Sequence, residues 1–198
     1  MATAQTTEKK AAAKAAKPVK KDPTKAKADA IAEAKSFAPD LAARIGSTPK
    51  TKFRGNPDIF GRLVQDHDKH RALIAMIEET TSGNPDQRKM LFEEFCKEVQ
   101  SHAAAEEQAL WSTVMREPST TDDARHAVAE HKELDDLMAD LAARDYSSPG
   151  WLRRFAALKE EYLHHVGEEE QEQFVAAGKT LSASDLKYMR KVFERRKK

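Results

Sequence analysis

The sequence predicts an all-α fold: an up-down-up-down four-helix bundle, preceded by a disordered basic tail and followed by a short helix. Two observations carry this. Four stretches of roughly 25–30 residues place apolar residues at steps of three and four, the period of a helix with one buried face. Short breaks rich in Pro and Gly separate them, and connections of a few residues make sequential helices antiparallel. Composition agrees, since 34% of the 198 residues are charged and only seven are glycine. That balance suits long solvated helices and disfavours a turn-rich β fold.

The N-terminal part comes first. Residues 1–52 carry 12 Lys or Arg against five Asp or Glu, whereas the rest of the chain carries 22 against 28. This first part is treated as an Ala/Lys-rich tail and connector. Its first 35 or so residues hold almost nothing large and apolar, so they cannot offset the entropy of ordering. A basic arm touching nucleic acid is the alternative use, but no aromatic residue is interleaved for base stacking. A short helix over 37–45 fits the connector.

The bundle is assigned to residues 53–180. Its first helix opens at Asn56-Pro57-Asp58, where Asn or Asp caps and Pro suits a first turn, and runs to about Thr81. Ser82-Gly83-Asn84-Pro85 breaks the pattern. The second helix runs from about Pro85 to Arg116. The third starts at a Ser119-Thr120-Thr121 cap with Asp122 and Asp123 in its first turn, complementing the helix dipole, and ends near Asp145. The fourth opens at Ser148-Pro149 and continues to about Ala177, with Gly178 as the residue that stops it. Residues 181–198 form a last helix, from about Ser184 to Arg195, and a basic end.

No apolar run approaches the roughly 20 residues that span a bilayer, and no secretory leader is visible at the N-terminus. Cys96 is the one cysteine, so no intrachain disulfide forms, and its neighbours Phe92, Phe95 and Val99 mark it as a core residue. These features point to a cytoplasmic protein without membrane contact.

Polar residues interrupt all four apolar stripes at mid-length. His67 follows Phe60, Leu63 and Val64. His102 and Glu106 follow Phe92, Phe95 and Val99. His131 lies between Val128 and Leu134. His165 and Glu169 follow Phe155, Leu158 and Tyr162. An ionised Glu in a bundle core is costly unless it is paired or bound to a metal. His and Glu at i and i+4 lie one turn apart on one face and reach one ion. Four helices contributing at one level is how bundle cores build dinuclear sites. His70 lies near the face of His67 and stands as a rival or supporting residue, as does Asp135, one turn after His131. His164 belongs to a competing register with Glu168. His126 faces away from His131, and Glu107 and Glu170 are surface or supporting groups.

Asp66-His67 with Arg71, His102 followed by Glu106-Glu107, Glu130-His131-Lys132, and His165 followed by Glu169-Glu170 together resemble the hemerythrin-like (HHE cation-binding) family. The resemblance implies a four-helix bundle with two non-haem Fe ions, joined by an oxo or hydroxo bridge. It also implies that Glu106 and Glu169 bridge the irons and that the four histidines are terminal ligands. Oxygen-carrying hemerythrins hold a further His where this chain has Ala127, and an Asp one residue beyond the position of Glu169. Two octahedral irons offer about 12 positions, and this ligand set leaves about two open. Open positions favour reaction with O2, H2O2 or NO over reversible O2 storage. The expected function is therefore a diiron protein that reacts with or senses such a small molecule, with peroxide degradation as one enzymatic form. The alternatives are an iron-handling or regulatory module and a reversible O2 carrier. A ferritin-like oxidase fits poorly, because only Glu161 and His164 supply a Glu-x-x-His pair.

Overall fold

The computed structural model describes residues 23–45 and 51–198. It is helical throughout, with no strand among the described residues. Helix α1 spans Pro23–Arg44, α2 Ile59–Glu78 and α3 Pro85–Glu106. The chain of α3 continues through a π-helical turn, Glu107–Trp111, and one α turn, Ser112–Val114. Helix α4 spans Thr121–Ala142 and α5 Trp151–Glu168. A second π-helical turn, Glu169–Gln173, carries α5 on into Phe174–Thr180. Helix α6 spans Ala183–Arg196. No helix among the described residues is long and apolar enough to cross a membrane.

The core divides into two apolar clusters, and their membership shows the antiparallel order. One joins the end of α2 (Ile74, Ile77), the start of α3 (Phe92, Phe95), the end of α4 (Met138, Leu141) and the start of α5 (Trp151, Phe155). The other joins the start of α2 (Ile59, Leu63), the residues after α3 (Trp111, Val114), the start of α4 (Ala124) and Phe174. This is the up-down-up-down bundle that the sequence predicts. Each fully buried side chain of this size contributes about 1.5–3 kcal/mol. The polar level of the bundle lies between the two clusters.

The ends of the elements show how the sequence sets them. Asp58 caps α2 by accepting from Gly61 N at 3.1 Å, and Asn84 caps α3 from Gln87 N. Ser182 and Asp185 form a reciprocal capping box on α6. Thr120 sits at the start of α4 but does not cap it; its hydroxyl donates back to Val114 O at 2.7 Å and closes the preceding loop. Helix α5 begins at Trp151 rather than Ser148. Gly178 lies inside the helical run to Thr180, against Phe60, rather than ending it. At the far end, buried Arg88 donates to Thr80 Oγ1, Thr80 O and Tyr146 O, tying both loops there together.

The N-terminal expectation changes. Residues 23–44 are helical where the sequence suggests tail as far as about residue 35. Ala and Lys are strong helix formers, and Ala38 and Ala42 give the helix a buried foothold against the bundle. The rest of the predicted tail lies outside the described residues.

Gly61 is required by close approach. A Cβ there would stand 2.1 Å from the carbonyl oxygen of Asn56, a backbone atom that cannot swing aside. Gly61→Ala is expected to cost about 1–3 kcal/mol, the range for overpacking, read as a lower Tm. An unchanged Tm would show that residues 51–57 do not pack against α2 as described.

Candidate metal centre

One histidine comes from each bundle helix: His67 from α2, His102 from α3, His131 from α4 and His165 from α5. Glu106 closes α3 and Glu169 opens the π turn after α5. All six are buried, and both carboxylates are fully so. The structure thus brings together every residue that the sequence nominates.

Their reactive atoms face one another. His67 Nε2 lies 3.1 Å from His102 Nε2 and 3.4 Å from Glu169 Oε2. His165 Nε2 lies 3.5 Å from the other Glu169 oxygen, Oε1. Glu106 Oε2 stands 3.4 Å from His102 Nε2 and 3.7 Å from His131 Nε2. The rings of His131 and His165 are 4.9 Å apart. Each carboxylate therefore addresses a histidine from both hairpins, α2–α3 and α4–α5.

The outward ring nitrogens decide what the inward ones are. Every Nδ1 meets a carboxylate: His102 meets Asp66 at 3.2 Å, His67 meets Glu170 at 3.0 Å, His131 meets Glu107 at 2.8 Å and His165 meets Glu130 at 3.0 Å. A carboxylate accepts, so Nδ1 carries the proton and Nε2 presents a lone pair. Four such nitrogens and two carboxylates converge on one dry spot. Both oxygens of Glu106, both of Glu169 and His131 Nε2 have no hydrogen-bond partner. Converging lone pairs repel unless a cation lies between them, so this donor set fits metal ions. The carboxylate–imidazole spacings of 3.4–3.7 Å are long for hydrogen bonds and lie at or just above the roughly 3.0–3.4 Å that separates donors sharing one ion at ~2.1 Å, while the 3.1 Å between His67 and His102 falls within it.

Electrostatics follow from burial and these partners. Burial lowers His67, and it pushes His165 down to about 4 despite Glu130. Burial also lowers His102, but Asp66 and Glu106 outweigh it and hold that imidazole above its ordinary range. Burial and the charge of Glu106 push Glu169 well above the usual carboxylate range. Burial acts on Glu106 in the same sense, but the adjacent His102 ring and the charges of His102 and His131 outweigh it and hold Glu106 low. Two carboxylates in one dry site cannot both ionise without positive charge beside them.

The outer carboxylates are themselves anchored. Arg71 donates to Glu170 at 2.8 Å, while Lys197 at 2.9 Å and Arg62 both pair with Asp66. Lys197 follows α6, whose Phe193 also sets its ring edge against His102. The sequence reading gave Asp66 and Glu130 no role and left Glu107 and Glu170 as surface or supporting groups. A signal was present: an acid directly precedes His67 and His131, and a second Glu directly follows Glu106 and Glu169.

The rival residues separate clearly. Asp135 is exposed and accepts from Gln100 at 3.1 Å. His164 and His126 are largely exposed and pair with Glu168. His70 is buried, shares its Nδ1 with the Tyr162 hydroxyl at 2.5 Å, and has no partner at Nε2. Beside the centre, a cavity of about 10 Å³ is lined by His102, His131, His165, Tyr162, Val99 and Val166, among others. It has room for about one water-sized molecule. The cavity adjoins the α4–α5 side, whereas His67 is sealed by Phe174 and Glu170.

A helical bundle with imidazoles and carboxylates turned inward at one level is a cation-binding bundle protein. Residues 58–177 match the hemerythrin HHE cation-binding domain, and the chain belongs to that family. No match to a curated protein or to a solved structure was found. Helices α1 and α6 lie outside the matched segment.

Asp66→Asn and Glu130→Gln should each weaken metal binding by about 10–100-fold, the usual cost of losing such a supporting carboxylate. Competition against a chelator of known affinity measures this. Unchanged affinity in both variants would show that these carboxylates do not tune the histidines.

Proposed function

We propose that the protein holds a pair of iron ions on His67, His102, Glu106, His131, His165 and Glu169, and that the pair reacts with or senses O2, peroxide or nitric oxide. The observation that carries this is the placement of Glu106 and Glu169, each addressing a histidine of both hairpins. Two shared carboxylates with two histidines at each end suit two ions better than one. A set of six imidazole and carboxylate donors suits iron better than a closed tetrahedral zinc site. A bound iron pair supplies exchange of one or two electrons with a small oxidant.

The chain's own residues do the rest. The two apolar clusters exclude bulk water from the polar level. The cavity admits a small molecule next to His131 and His165, and Ala127 leaves that side of α4 without a further imidazole. Tyr162 lines the same cavity, and burial raises its phenol well above the ordinary range, so it stays protonated. The His70–Tyr162 pair thereby holds a proton at the cavity wall. The four outer carboxylates keep each Nδ1 protonated and each Nε2 aimed inward.

A second reading, an iron-handling or regulatory module, draws on α6. This helix touches His102 through Phe193, the Lys197 that follows it pairs with Asp66, and its other side exposes basic residues, so a partner on α6 would sense the state of the centre.

Elemental analysis of protein loaded anaerobically with ferrous iron tests the centre. About two irons per chain are expected from the two carboxylates each shared between both histidine pairs. His102→Ala and Glu169→Gln should each lose at least one. A full-length protein that takes up no iron would refute the proposal.

Exposure of the loaded protein to O2, H2O2 and NO then tests reactivity. Spectral change with turnover, such as O2 release from H2O2, supports an enzyme. Stoichiometric reversible O2 binding without turnover would replace it with a carrier. Ala103 also lines the cavity, so Ala103→Leu narrows it and should slow these reactions at unchanged iron content.

A further inference from the structure

We infer that the α4–α5 face carries a second cation site, at the surface, built from His126, Glu130 and Glu168 with His164 as a fourth donor, and that it takes a divalent transition metal such as zinc. The residues form two more His-x-x-x-Glu pairs, His126/Glu130 on α4 and His164/Glu168 on α5, one register around from the buried set.

The geometry favours an ion over a hydrogen-bonded cluster. His126 Nε2 stands 3.2 Å from Glu168 Oε2 and 3.5 Å from Glu130 Oε1. The other oxygen of Glu168, Oε1, stands 3.3 Å from His164 Nε2. A single Nε2 proton cannot point at two carboxylates at once, and these separations lie at or beyond the long end for hydrogen bonds. Donors around a tetrahedral zinc, with bonds of ~2.0–2.1 Å, stand about 3.3–3.4 Å apart. One donor atom each from His126, Glu130 and Glu168 already falls within 4.8 Å of the others.

Accessibility agrees with loading from solvent. The His126 and His164 side chains are 55% and 61% exposed, while Glu130 and Glu168 are 13% and 33% exposed. The carboxylates form a partly buried floor and the imidazoles a rim that can swing. Glu130 is already half committed. Its Oε2 accepts from His165 Nδ1, which leaves Oε1 for the surface ion. Glu130 is thus common to both centres, an arrangement the buried site alone does not require.

The test uses the full chain with its interior centre loaded and its iron content measured before and after. Calorimetric titration with Zn2+ should show one further equivalent bound without loss of iron. His126→Ala and Glu168→Gln, neither of which touches the buried centre, should each weaken that binding at least tenfold. Co2+ in place of zinc should give the visible bands of a low-symmetry site in the wild type and lose them in the double variant. No zinc uptake beyond the interior complement, or uptake equal in wild type and both variants, would overturn the inference. If the chain takes up no iron, the same titration on the untreated protein still decides, because only the surface equivalent depends on His126 and Glu168.

Discussion

Lone pairs facing lone pairs set the terms for the whole bundle. Four imidazole nitrogens and two carboxylates meet where a bundle would ordinarily pack Leu against Leu. Burying ionisable groups without a partner costs several kcal/mol for each, and removing one member of such a set leaves the others worse off. A cation answers this directly. The fold answers it in part by splitting its apolar core in two, so that Phe60, Trp111 and Phe174 lie on one side of the polar level and Phe95, Leu158 and Val166 on the other. Stability is thus carried by clusters that do not depend on the centre, and the centre is held at a fixed depth between them.

The supporting carboxylates turn that level into two related halves. Asp66 precedes His67 and serves His102, just as Glu130 precedes His131 and serves His165. Glu107 follows Glu106 and serves His131, just as Glu170 follows Glu169 and serves His67. Each hairpin so orients histidines of its own and of the other hairpin, and neither half of the site is complete alone. The halves differ in surroundings. Glu170 is locked by Arg71 in the dry interior, while Glu107 is part-exposed and the small cavity opens beside His131. Access and protection are therefore divided between two ends of one symmetric plan.

Much of this was legible in the sequence. The four stripes, their breaks and the six inward residues follow from the 3.6 period and from the cost of a buried Glu. What the period cannot show is where an outward nitrogen goes, so Asp66 and Glu130 stayed without a role although each sits next to a nominated histidine. Helix ends were less legible for a related reason. Thr120 has the residue type of a cap, yet its hydroxyl finds a better partner in the Val114 carbonyl. Gly178 has the residue type of a stop, yet packing against Phe60 keeps it helical. In α1 the composition that suggested a tail is equally a helix-forming one, and contact with the bundle settles the choice.

The two π turns extend this beyond the site. Each begins within a residue of an inward Glu, at Glu107 and at Glu169, where an extra residue is fitted into a helix. Removing one residue from either turn would give a straighter helix with better local hydrogen bonds. It would leave Trp111 and Val114, or Phe174 and Ala177, facing the apolar cluster they already join, because a π turn takes up its extra residue within itself. The irregularity is local, so a deletion that removes the extra residue of a π turn is one the bundle can absorb, whereas the same deletion in a regular stretch of α3 or α5 swings everything after it by about 100°.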